Sequence, residues 1–133
     1  MKEYLEQQLK KKAHELVLTV FRVASRAKGQ KGSAFAFRRA ASKIPAAIFE
    51  GQSREFEEDK VRYFTEAHNA VFEAKYYLDL LYNSKGISYY AYRQCANKLD
   101  LLDKMLISRI RSIDKRKAKA QYKTSIRTHY RNI

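Results

Sequence analysis

Residues 38–54 read Arg38-Arg39-Ala40-Ala41-Ser42-Lys43-Ile44-Pro45-Ala46-Ala47-Ile48-Phe49-Glu50-Gly51-Gln52-Ser53-Arg54. Ile44 and Ile48, preceded by Phe37 and Ala41, recur every three or four positions, the period of a helix with one buried face. The small residues between them let a neighbouring helix approach closely, and Gly51 is a natural stop. Pro45 lies inside the pattern and should kink it, because its ring removes one backbone donor and crowds the preceding turn.

Working outward, the same period continues on both sides. Leu5, Leu9, Leu16, Val17, Val20, Phe21 and Ala24 mark an amphipathic helix over residues 3–27, released by Lys28-Gly29-Gln30-Lys31-Gly32. Ser33 is the expected N-cap of the helix that contains the quoted stretch. Ser53 and the acids Glu55 to Asp59 supply a third start, with negative charge where a helix dipole favours it. That helix carries Phe56, Phe64, Ala67, Val71, Ala74, Leu78 and Leu81 on one face and breaks at Asn83-Ser84-Lys85-Gly86. A fourth begins at Ser88 and lines up Tyr92, Cys95, Leu99, Leu102, Leu106, Ile110 and Ile113. No alternating pattern competes with these, and four Gly and one Pro in 133 residues are too few for the turns of an all-β fold. The expected fold is all-α: an antiparallel up-down four-helix bundle over residues 1–113, with residues 114–133 as a basic C-terminal extension.

The charge is large and unevenly placed. A formal net charge of +14 divides into +8 over residues 1–43, −2 over 44–108 and +8 over 109–133. Such a surplus attracts a polyanion, nucleic acid or an anionic membrane surface. In an up-down bundle the first and third turns share one end. Lys28, Lys31 and Lys85 would meet there, with Arg22, Arg26, Arg38, Arg39 and Arg93 nearby and Tyr82, Tyr89 and Tyr90 beside them. The acids Glu55, Glu57, Glu58 and Asp59 fall at the other end, where Lys10 to Lys12 and the start of the basic tail should meet them. In the tail, Arg111, Lys115, Lys119, Lys123, Arg127 and Arg131 recur at every fourth position, a basic stripe if helical, beside Tyr122, Ile126 and Tyr130.

Catalytic constellations are missing. His14, His68 and His129 are scattered, and His68 reads as a partly buried structural residue. No Cys/His cluster has zinc spacing. Cys95 falls on an apolar face as a core thiol. Gly29 and Gly32 lack the phosphate-loop pattern, and Glu50 and Glu73 lack the Glu-x-x-His pairs of a di-iron bundle. The chain reads as a non-enzyme with no cofactor and no metal. One Cys fits a reducing compartment. The first residues lack the apolar core of a signal peptide, and no run approaches the ~20 apolar residues of a membrane span; the expected location is the cytoplasm.

The quoted stretch also carries a resemblance. Arg39, Ala40, Ser42, Ile44, Pro45, Ile48, Glu50, Gly51 and Arg54 resemble the signature of the four-helix bundle proteins encoded by intervening sequences of bacterial large-subunit rRNA genes. The same bundle family includes the accessory variability determinants of diversity-generating retroelements. The likeness extends more loosely from Ala13 to Ile113. It departs at Ala47, where the family usually has Asn, and in the longer basic tail, whose charge favours the retroelement branch over the rRNA-associated one. The resemblance implies a homo-oligomer, a pentamer around a channel, that binds a reverse transcriptase and template RNA and supports mutagenic cDNA synthesis. It makes Ser42, Ile44, Pro45, Glu50, Gly51 and Arg54 structural, with Glu50 and Arg54 pairing at the corner between the second and third helices.

The leading expectation is a nucleic-acid-binding accessory subunit that contacts RNA or DNA phosphates without reading sequence, through Arg22, Arg26, Lys28, Lys31, Arg38, Arg39 and the tail stripe. The alternative is an rRNA-associated bundle binding rRNA or acting as a protein scaffold. Membrane binding ranks last, because the bundle core consumes the apolar faces.

Overall fold

In a computed structural model, which describes residues 2–131 apart from the side chains of residues 128–131, the chain forms four helices. They are α1 (Lys2–Ser25), α2 (Lys31–Gln52), α3 (Glu57–Asn83) and α4 (Tyr89–Arg131). The side chains of His129, Tyr130 and Arg131 lie outside the described part. The helices pack in chain order around a square, α2 on α3 most extensively, with α1 closing against α4. This is the all-α up-down bundle.

The core follows the helical period. Phe37, Ala41, Ile44 and Ile48 of α2 are wholly buried, as are Phe64, Val71 and Leu81 of α3 and Cys95, Leu99, Leu102 and Leu106 of α4. Val17, Tyr92 and Ile110 are partly buried, and three expected core residues are exposed. Leu5 is 47% exposed and Phe21 45%, and Phe56, which precedes α3 in an extended conformation, is 66% exposed. A face about 100° wide suffices for each helix, so residues at its margins stay in solvent.

Helix ends differ from expectation in two places. Ser33 lies inside α2, whose N-cap is Gln30. The start is pulled back because Lys28 N–H donates to the Gly86 carbonyl (3.0 Å), tying the α1–α2 loop to the α3–α4 loop, and Ala34 N–H reaches Gln30. Ser53 does not open α3. Its hydroxyl and N–H both return to the Glu50 carbonyl and close α2. Ser88 does cap α4, its Oγ accepting from Ala91 N–H at 3.1 Å. Pro45 sits within α2 without ending it. At Gly51 an added Cβ would lie 2.8 Å from the Phe64 ring, so glycine here permits the tight α2–α3 crossing.

One buried polar cluster joins all four helices. Lys60 of α3 and Arg109 of α4 are both buried, and each pairs with Glu6 of α1, at 3.6 and 3.0 Å. Lys60 Nζ also donates to the Gly51 and Gln52 carbonyls that end α2, and Gln52 Nε2 donates to the Glu6 carbonyl at 2.6 Å. Among the described residues, Glu6 is the sole ion-pair partner of these two buried cations. Glu6→Gln should therefore destabilise the bundle by about 3–5 kcal/mol, read as a lowered urea midpoint, since it strands both cations.

Candidate nucleic-acid interface

The expected basic residues divide into three groups. Arg22 of α1, Arg26 and Lys28 of the first loop and Lys85 of the third loop line one cleft of about 460 Å³ at the loop end of the bundle, with Tyr90 and Gln94 of α4 on its wall. Arg38 is drawn elsewhere: its guanidinium lies 6.0 Å from the Phe21 ring, in the α1–α2 groove. Lys31 and Arg39 are exposed and do not line the cleft. The third group is the stripe Arg111, Lys115, Lys119, Lys123 and Arg127, all exposed on one unbroken helix. Ile113 is the last buried residue on α4 among the described side chains. Fourteen further residues to Arg127 at 1.5 Å each carry basic side chains about 21 Å beyond it.

The aromatic residues at the loop end divide as well. Tyr82 stacks on Tyr92 (4.8 Å between centroids), and Tyr89 closes on both. A hydrogen bond to Asp79, and then burial, push the Tyr92 pKa upward, so that hydroxyl stays protonated and holds α4 to α3. Tyr90 has no such role. It is 72% exposed, with Gln94 Nε2 donating to its hydroxyl at 3.1 Å.

The acidic corner does meet the start of the tail. Arg116 pairs with Glu57 (2.7 Å) and Lys117 with Glu58 (3.1 Å). The N-terminal lysine involved is Lys2, also on Glu57, whereas Lys12 pairs with Glu15 and Lys10 lies over the Phe49 ring. These contacts sort the cations. Arg109, counted from sequence with the tail, is buried and spent on Glu6. The four cleft cations and the five stripe residues have no ion-pair partner among the described residues, which leaves them available to an external anion.

The motif residues are structural in their contacts. Arg54 pairs with Glu50 at 3.6 Å, donates to Tyr63 Oη and lies over the Tyr63 ring. Ser42 Oγ donates back to the Arg38 carbonyl, and Ile44 is buried. His68 Nδ1 is hydrogen-bonded to Asp103 across α3 and α4, and Glu73 is held by Lys43 at 3.1 Å. No group of three or more His, Cys, Asp or Glu side chains among the described residues could hold a metal ion. No described helix is long and apolar enough to cross a membrane.

The network at Glu6, Lys60 and Arg109 escaped the sequence reading. A lysine or arginine at a core-facing position of an otherwise amphipathic helix was the available signal, and at Arg109 the basic run that follows masked it.

Comparison with known proteins fits this architecture. The family model for the 23S rRNA-intervening sequence protein matches residues 6–108, and the chain belongs to that family. A solved structure from Bacteroides thetaiotaomicron, described as a protein of unknown function from the S23 ribosomal protein family, has the same fold. Its TM-score is 0.75 at 21% identity, covering 80% of this chain and 98% of that one. No curated protein matches. The likeness in residues 38–54 is therefore shown at the level of the 23S rRNA-intervening sequence protein family.

Burial pushes the Cys95 thiol up to about 11. At neutral pH it should stay protonated and resist a thiol-specific chromogenic reagent in the native state, reacting fully once urea unfolds the chain.

Proposed function

We propose that this protein is a non-catalytic RNA-binding bundle of the rRNA-associated type, gripping phosphates without reading base sequence and working in the cytoplasm as a homo-oligomer. The observation that carries the proposal is the separation of paired from unpaired cations. The protein's acids neutralise the base of the tail and the interior of the bundle, while the loop-end cleft and the α4 stripe remain uncompensated. An extended ridge of cations spaced by single helical turns suits a polyphosphate chain. The 23S rRNA link in the family's name supports RNA over DNA.

Homo-oligomerisation is supported by the exposed large apolar side chains, among them Leu18, Phe35, Phe72, Tyr76 and Leu101, which a subunit interface would cover. Five copies in a ring is the number that the sequence resemblance implies; light scattering on the eluting protein should return a multiple of the 15.6 kDa protomer mass.

A second reading keeps the retroelement branch, with a reverse transcriptase as partner. One observation favours it: α4 beyond residue 108 lies outside the family match and carries the densest positive charge. Co-purification of a polymerase through α4, surviving nuclease treatment, would support this reading over direct RNA binding.

Replacing Lys115, Lys119 and Lys123 together by Glu should weaken RNA binding more than tenfold. The log-affinity against log-salt slope should become shallower by about 0.7 for each lost phosphate contact, with the helical circular dichroism of the bundle kept. Affinity insensitive to salt would overturn the RNA-binding proposal.

A further inference from the structure

α3 ends in a turn that is costly for the residue it uses. Gly86 N–H returns to the Leu81 carbonyl (2.8 Å) and Lys85 N–H to that of Tyr82 (3.0 Å). This double closure needs a left-handed residue at position 85, normally Gly or Asn. Here it is Lys85, at φ 63°, among the described residues the only non-glycine with positive φ. Glycine would relieve the strain, yet a long cation occupies the position, lining the cleft with Arg22, Arg26 and Lys28. Four cations from three segments therefore converge with no acid lining the cleft. Without a ligand this gathering of like charge is unfavourable, and an anion relieves it.

The wall of the cleft is aromatic. Tyr90 has no aromatic contact among the described residues, stands largely in solvent and is steadied by Gln94. Val23 and Ala91 add apolar lining, and the cleft volume of about 460 Å³ is in the range of small-ligand sites. We infer that this cleft is a subsite for one nucleotide of single-stranded RNA, the phosphate held by Lys85, Arg22, Arg26 and Lys28 and the base stacked on Tyr90. This rests on the RNA-binding proposal and adds a ligand class to one of its two basic regions. A single strand is specified because only an unstacked base can present its face to a tyrosine. The subsite is separate from the stripe: from Tyr90 to Lys115 along α4 is about 37 Å.

The test is fluorescence anisotropy with a labelled uridine hexanucleotide, a duplex RNA of similar charge and a long transcript, each at low salt with the full chain. Tyr90→Ala should weaken hexanucleotide binding about tenfold while Tyr90→Phe stays near wild type, because stacking and not the hydroxyl carries the contact. Lys85→Gly should lower hexanucleotide affinity severalfold while the melting temperature holds or rises, a divergence that a merely structural lysine would not produce. The subsite is overturned if the hexanucleotide fails to bind while the transcript binds. It is equally overturned if Tyr90→Ala and Lys85→Gly leave hexanucleotide affinity unchanged, or if duplex competes as well as single strand. If wild type binds neither hexanucleotide nor transcript, the RNA-binding proposal itself falls.

Discussion

The bundle depends on how one carboxylate is shared. Glu6 enters the interior from α1 and meets Lys60 from α3 and Arg109 from α4, while Lys60 satisfies the last carbonyls of α2. Two buried cations and one anion are tolerable only when their positions are nearly fixed, because each ion loses several kcal/mol of hydration. The cluster therefore sets the register of all four helices at that end. It also sets where α4 leaves the core, four residues after Arg109, and so where the basic arm begins.

A net charge of +14 acquires a shape from this arrangement. Acids occupy the corner where α3 starts, and they neutralise the cations around them, Lys2, Arg116 and Lys117. Positive charge survives unpaired at the loop end of the bundle and along the protruding half of α4. The polarity follows from the chain's path: two tight loops bring residues 22–28 and 85–90 together, and the third corner carries Glu55 to Asp59 away from them. The tyrosines follow the same division. Three of them are consumed in packing α3 against α4, and Tyr90, one residue from Tyr89 but a hundred degrees around the helix, faces the cleft.

Much of this was legible in the residues. The three-and-four spacing of Phe37, Ala41, Ile44 and Ile48 specified a buried helix face, and the analogous runs in the other segments specified three more. Ser88 announced its helix because an N-cap is a local device, needing only its own next turn. Ser33 and Ser53 misled for the complementary reason: each had an equally good local pattern, but the docking of Gln30 under Gly86 and the closure of α2 on Glu50 decided which pattern was used. Leu5, Phe21 and Phe56 were misplaced because periodicity gives the centre of an apolar stripe more sharply than its edges.

By itself the sequence determined the helical class, the approximate ends, the core centres and the family signature around Pro45 and Gly51. These depend on contacts within a few residues, or on a period that any bundle must honour. Only the tertiary structure decided which cations are free. Lys60 and Arg109 look like Lys115 and Lys119 in a string of letters. What separates them is whether a carboxylate from a distant helix stands within reach in a dry interior. The cleft at Lys85 belongs to the same class of fact: its cations converge only when two loops, more than fifty residues apart, are packed side by side.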